Sequence, residues 1–341
     1  MQIKKSFFKD RTILITGGTG SFGKSCVKYL LKNFDLKKII IFSRDELKQF
    51  EMAEELILYQ KKLRFFIGDI RDLARLKFAM NKVDYVIHTA ALKQVSTAEY
   101  NPFEVIKTNI VGTQNVIDAI HFSSVKKAIA LSTDKAAAPI NLYGASKLAS
   151  DKIFIAANNY IFDKSFSVVR YGNVMMSRGS VIPVFLEQKN KKILTITNKD
   201  MTRFSITLSE GVEFVVNCLC NMWGGELFVP KIPSFKIMDL AKAISPDSKL
   251  KITGIRPGEK IHEEMITNSD SINTVEFSKY YVIMPSSNKY LKWTVQDFVK
   301  KFDLAQGRLC KKQFSYNSLN NKNFLNIKSI KKLLNKELSP K

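Results

Sequence analysis

Apolar runs of strand length alternate with amphipathic stretches of helix length through the first half of the chain. Thr12–Thr16 (TILIT) runs into glycines and then into a helical stretch over Ser21–Asn33. Lys38–Ser43 (KIIIFS) and residues 63–68 (LRFFIG), 85–89 (YVIHT), 128–132 (AIALS) and 167–171 (SVVRY) read as further strands. Between them, residues 46–59, 73–80, 103–122 and 143–157 carry a helical period. Strands separated by helix-length connections predict a parallel sheet with helices on both faces. Their unbroken apolarity fits strands buried on both sides. The expected fold is α/β, a Rossmann-like doubly wound parallel sheet.

After about residue 172 the regularity loosens and Pro and Gly become more frequent. The expected organisation is a Rossmann-like domain over 1–171, a smaller lobe mainly over 172–285 and a basic C-terminal extension over 286–341. Residues about 200–222 are expected to return to the first domain, because 211–220 is helical in period. The small lobe should lie over the carboxyl ends of the strands, where open α/β sheets take their ligands. Apolar clusters in the extension, Phe324-Leu325 and residues 330–334, predict that it packs in part, on this chain or on another subunit.

Composition adds exclusions. With 341 residues and 45% hydrophobic content the chain is an ordinary globular protein of one or two domains. No apolar run approaches the ~20 residues of a membrane span, and no signal core follows the lysines of residues 1–10. A cytoplasmic protein is expected. Four cysteines without a CxxC pair and three histidines predict reduced thiols and no metal. A net charge of +23 raises nucleic-acid binding. The lysines are scattered, however, and enriched only over 311–341, with no RNA-binding or helix-turn-helix pattern. The reading is a lysine-rich surface that also attracts an anionic ligand, without a specific nucleic-acid partner.

Candidate chemistry begins at the first strand–helix junction. Thr16-Gly17-Gly18-Thr19-Gly20-Ser21-Phe22-Gly23 places Gly17, Gly20 and Gly23 at three-residue intervals. Glycine lets the backbone approach a pyrophosphate, and the helix N-terminus stabilises its charge. A dinucleotide site is therefore expected at Gly17, Thr19, Gly20, Ser21, Phe22 and Gly23. The second strand ends in Ser43-Arg44-Asp45, with Lys48 a helical turn later. Ser43, Arg44 and Lys48 favour the 2′-phosphate of NADP; Asp45 is the competing signal for NAD unless it caps the next helix. Asp69, after Gly68 and before Ile70, either accepts from the adenine amino group or caps its own turn.

Four segments together resemble the extended short-chain dehydrogenase/reductase family. They are the glycine turn, Gly68-Asp69, His88-Thr89-Ala90-Ala91 and Tyr143-Gly144-Ala145-Ser146-Lys147. The likeness spans about residues 10–285. Within that family the chain is most similar to the configuration-inverting UDP-N-acetylglucosamine 4,6-dehydratases of pseudaminic acid synthesis and flagellin glycosylation. The stretches that carry this are SRDELKQFEM (43–52), ALKQVSTAEYNP (91–102), LSTDKAAAPINLYGASKLASDK (131–152), RYGNVMMSRGSVIP (170–183) and MTRF (201–204).

The resemblance implies an NADP enzyme, a homo-oligomer (a hexamer being one such form) and a UDP-sugar substrate. Tyr143 and Lys147 are four residues apart, on one face of a helix, and form the family's catalytic pair. Nearby positive charge should lower the Tyr143 phenol from its ordinary value of about 10, so that it takes a proton from a sugar hydroxyl. The implied reaction oxidises C4, eliminates water across C5 and C6 and returns hydride to C6, inverting C5. Two more proton-transfer groups are then required. The resemblance makes Asp134 the acid at the C6 hydroxyl and Lys135 the base at C5, with Thr133 bonded to O4. A lysine base has to be partly neutral. It also implies Ala90, Ala91, Lys93 and Asn109 near the cofactor, Asn109 alternatively being a buried amide that holds backbone groups. Lys93, Asn173, Arg203, Arg256 and Glu259 are expected at the substrate, with Arg170 an alternative to Asn173 at the diphosphate. His88 is expected to pack. A retaining dehydratase, with an Asp-Glu pair in place of Asp134-Lys135, and a 4-epimerase remain alternatives.

Overall fold

A computed structural model describes residues 4–177, 179–285, 294–302, 307–311 and 313–338. Six strands, β1 (Thr12–Thr16), β2 (Lys38–Ser43), β3 (Leu63–Ile67), β4 (Tyr85–His88), β5 (Lys127–Thr133) and β6 (Ser165–Tyr171), lie parallel in the order β3-β2-β1-β4-β5-β6. The strand order reverses beside β1, the switch point at which doubly wound sheets open a crevice for ligands. Ile13, Leu14, Ile15, Ile39, Ile41, Val86 and Ile87 have no exposed surface, because helices cover both faces. Burying each such side chain contributes about 1.5–3 kcal/mol relative to leaving it exposed.

The sheet does not end at residue 171. Leu227–Pro230 adds in parallel to β6, Tyr280–Ile283 pairs antiparallel with it, and Thr274–Glu276 and Arg308–Leu309 follow. Residues 172–285 are therefore divided between two layers, where the sequence placed them mainly in a separate lobe. These strands are three or four residues long or shorter, too short to stand out by periodicity. The helix Leu208–Asn221 packs on the helix Ser21–Asn33 and on β5 and β6. The preceding strand Thr202–Ile206 instead joins Asn173–Val174 and Ser234–Lys236 in a small sheet.

A second core fills the lobe with Ile182, Phe185, Leu194, Ile196, Leu240, Ile330 and Leu334. Ile330 and Leu334 come from the helix Ile327–Leu338, which packs on the helix Ile237–Ile244. The extension thus packs on its own chain where it is described; part of 286–341 lies outside the described residues. The stretch read as one helix over 103–122 is two, Pro102–Ile106 and Gly112–His121, joined by a π-helical turn at Lys107–Val111 that buries Thr108 and Asn109. Among the described residues no helix is long and apolar enough to cross a membrane.

Candidate active site

The carboxyl ends of β1 to β6 open into a cleft of about 740 Å³, within the size range of small-molecule sites. At its floor Gly17 has φ +65°, and a Cβ there would stand 2.8 Å from Thr89 Oγ1 and 2.9 Å from the Ala90 amide nitrogen. A Cβ on Gly23 would lie 2.5 Å from Gly18 Cα. Only glycine fits either position. The helix Ser21–Asn33 starts at Gly20 with no side-chain cap, which leaves its first amides available to an anion. The residues present therefore fit a dinucleotide: Gly17, Thr19, Gly20, Ser21, Phe22, Gly23, Ala90, Ala91 and Lys93 line the cleft.

Farther along, Ser43, Arg44, Lys48, Asp69 and Ile70 also line it. Ser43 Oγ accepts from Thr19 Oγ1 at 3.0 Å and from Gln49 Nε2 at 3.2 Å. Asp45 caps the helix Glu46–Glu55, accepting from the Lys48 amide at 3.0 Å, and pairs with the Lys48 ammonium. Arg44 keeps 53% of its side-chain surface exposed, 3.5 Å from Asp69 Oδ2. Asp69 accepts from the Arg71 amide at 2.9 Å, so it braces its own turn while facing the cleft.

Asn109 does not face the cleft. Its amide accepts from Leu92 N at 2.8 Å and donates to Leu92 O at 2.9 Å and to Ser146 Oγ at 3.0 Å. With those groups engaged it ties the loop after β4 to the helix Leu142–Ala156, and the expected cofactor contact is corrected to a brace. His88 packs, with Nδ1 2.7 Å from Thr16 Oγ1 and Nε2 3.1 Å from Thr113 Oγ1. Burial pushes its pKa down to about 3.

β5 delivers Thr133, Asp134 and Lys135 to the cleft, and the helix Leu142–Ala156, capped by Asn141 on the Gly144 amide, delivers Tyr143 and Lys147. Thr133 Oγ1 donates to Asp134 Oδ1 at 2.9 Å and Lys135 Nζ to the same oxygen at 3.1 Å. Asp134 is 1% exposed, and burial raises its pKa against the pull of Lys135. Burial likewise pushes Tyr143 up to about 12, the Lys135 ammonium opposing it. The expected lowering counts the nicotinamide charge together with a nearby ammonium; among the chain's own groups, burial outweighs the ammonium. Lys135 itself is held protonated, because Asp134 and Glu263 outweigh its burial, where the base role calls for a neutral amine. Lys147 is lowered by burial, with Asp151 opposing. Asp151 accepts from Ser132 Oγ at 2.6 Å.

Asn173 lines the cleft, and its buried Oδ1 has no hydrogen-bond partner among the described residues. Lys93, Thr133 and Tyr143 line it as well, whereas Arg203, Arg256 and Glu259 do not. Arg203 Nη1 donates to the carbonyls of Thr202 and Ile261 and Nη2 to that of Lys260, with Glu259 at 3.5 Å. Its guanidinium is a buried clamp on that loop, not a free phosphate donor. Arg256 is exposed, and neither it nor Glu259 lines the cleft. That loop docks through Gly258 O on Asn141 Nδ2 and Lys260 Nζ on Ala137 O, both at 2.7 Å. Arg170 is also turned inward, donating to Met265 O at 3.0 Å and to Asp151 Oδ2 at 3.4 Å. The sequence reading missed Tyr171, Ser180 and Glu263. The first two line the cleft, and Glu263 pairs with Lys135. Ser180 and Tyr171 lay within a quoted motif; Glu263 carried no local signal.

A family profile described as polysaccharide biosynthesis protein matches residues 13–285. A UDP-N-acetylglucosamine 4,6-dehydratase (inverting) of Campylobacter jejuni is 54% identical over 332 residues, covering 96% of this chain and 98% of the relative. A UDP-glucose 4-epimerase of Rickettsia bellii is 43% identical over 339 residues, with 96% of each covered. Among solved structures, Pen from Bacillus thuringiensis matches with a TM-score of 0.87 at 36% identity, covering 97% of this chain and 99% of that one.

Proposed function

The chain belongs to the polysaccharide biosynthesis protein family, and from that premise we propose that it is an inverting UDP-N-acetylglucosamine 4,6-dehydratase with NADP as its cofactor. The product is a UDP-2-acetamido-2,6-dideoxy-4-keto-L-arabino-hexose. The observation that carries this reading is the Asp134–Lys135 couple, an acid and an amine 3.1 Å apart on the cleft wall that Tyr143 shares. A 4-epimerase has no step that needs this couple, because it eliminates nothing.

A dinucleotide held by Gly17, Gly20, Ser21 and Arg44 would supply hydride transfer from C4 and back to C6. The chain's own residues move the protons. Tyr143, whose phenolate the charge of Lys135 and of a bound oxidised nicotinamide would favour against burial, takes the proton of the C4 hydroxyl, and Thr133 hydrogen-bonds O4. The C4 ketone acidifies C5–H, Lys135 removes that proton, and Asp134 protonates the departing C6 hydroxyl; once hydride is back at C6, a solvent-exchangeable proton adds to C5 on the opposite face and completes the inversion. Asn173, which lines the cleft, meets the sugar nucleotide. The preference for NADP is supported by Arg44 and Lys48 beside Ser43, and by the use of Asp45 as a helix cap. The cofactor-binding unit comprises the sheet through residue 171 with the helix Leu208–Asn221, and the small lobe closes over the substrate.

Incubation with UDP-N-acetylglucosamine in heavy water, followed by proton spectra, tests the reading. A new C6 methyl signal with C5 inverted is expected. A C4 epimer without that methyl would replace the dehydratase by an epimerase, and a methyl with C5 retained would replace inversion by retention.

A further inference from the structure

One carboxylate at the proton-transfer couple comes from neither β5 nor the Tyr143 helix. Glu263, immediately before the strand Glu264–Ile266, is 2% exposed. Its Oε1 lies 3.1 Å from Lys135 Nζ, and the same ammonium is 3.1 Å from Asp134 Oδ1. One lysine thus bridges two buried acids. Glu263 Oε2 and Asp134 Oδ2 are both buried without a hydrogen-bond partner among the described residues. Burying charge and leaving acceptors unpaired is costly in free energy, and apolar packing would serve stability better.

We propose that Glu263 is the positioning residue of this couple, an inference that rests on the dehydratase reading. Its carboxylate holds the Lys135 amine one hydrogen bond from Asp134 and supplies the negative charge that keeps a proton on the pair. With Glu263 anionic, the couple has two forms. In one, Asp134 is a carboxylate and Lys135 an ammonium; in the other, Asp134 is a carboxylic acid and Lys135 a neutral amine. The two differ only by one proton crossing the 3.1 Å bond. The neutral couple is the form elimination uses. The C5–H bond breaks and its proton goes to Lys135. The freed electron pair forms the C5–C6 double bond, the C6–O bond breaks, and the Asp134 proton leaves with that oxygen as water. The ion pair is restored.

The charged and titratable groups around this trio are few. Arg203 Nε stands 3.8 Å from Glu263 Oε1, Lys260 acts on Glu263, Lys93 is repelled by Lys135, and Tyr143 adjoins Lys135. After burial and each other's charge, Glu263 raises the proton affinity of both Asp134 and Lys135. Removing that charge lowers both, so both limbs of the pH–rate bell move toward acid.

The test compares wild type with Glu263→Gln, which keeps the shape and loses the charge, by following C6-methyl formation from UDP-N-acetylglucosamine across pH. The expected result is a bell displaced to lower pH by about one unit or more, as for an ion-pair charge removed at this range. Glu263→Asp keeps the bell in place and lowers kcat with KM unchanged. A wild-type bell with an unmoved Glu263→Gln bell overturns this inference alone. Absence of the methyl product from wild type at every pH overturns the dehydratase reading and this inference with it. Should Glu263→Gln fail to fold, Glu263→Asp decides: a lower kcat at constant KM supports the role, and an unchanged kcat overturns it.

Discussion

Ser318 holds Glu263 by the backbone on both sides: the Glu263 amide donates to Ser318 Oγ at 2.9 Å, and the Ser318 amide donates to the Glu263 carbonyl at 2.7 Å. Ser318 Oγ also lies 2.7 Å from Thr202 Oγ1. A residue of the C-terminal extension thereby fixes the segment that faces Lys135. Ser318→Ala leaves the buried Glu263 amide unpaired, which costs about 1–3 kcal/mol. A drop of that size in the urea unfolding free energy is the expected measurement; an unchanged midpoint would mean the contact contributes nothing.

Arg44 is half exposed, and its 3.5 Å contact with Asp69 adds little to stability. Arg44→Ala should therefore leave the melting temperature unchanged. If Arg44 meets the 2′-phosphate, NADP affinity falls about 10- to 100-fold, the equivalent of one charge-assisted hydrogen bond, while NAD affinity hardly changes. Titration calorimetry with both cofactors measures this, and equal losses would remove the assignment.

Lys135→Ala takes away the base but not Tyr143. Turnover to the C6-methyl product should fall by about 10²–10⁴-fold, the usual contribution of a positioned proton-transfer group. Deuterium from solvent should no longer enter C5. Near-wild-type turnover would exclude Lys135 as the base.

His88 links stability to pH. Its folded pKa of about 3 lies below the ordinary 6.5, so between those values the unfolded chain binds the extra proton. The contribution is complete above about pH 6.5 and is lost as pH falls toward about 3, at a rate of at most about 1.4 kcal/mol per pH unit. Unfolding free energies measured between pH 7 and pH 5 should show this slope, and His88→Gln should flatten it. A slope equal in the two proteins would place the acid sensitivity elsewhere.

Local pattern carried much of the sheet and cleft. The first six strands were legible because each is a continuous apolar run buried on both faces, and the glycine turn because its spacing meets a backbone constraint that sequence records directly. Spacing put Tyr143 and Lys147 on one helix face and Asp134-Lys135 at a strand end, and the family resemblance joined the two into one site. Tertiary structure alone decided how those groups are charged. Packing removes the water around Tyr143 and raises its phenol against the pull of Lys135. Lys135 stays protonated because its neighbour Asp134, joined by Glu263 from a distant segment anchored by Ser318, outweighs its burial. Arg203, readable as a phosphate clamp by its residue type, is consumed by carbonyls that no spacing rule brings near it. Proton affinity depends on burial and on neighbours remote in the chain, and neither is written in local periodicity.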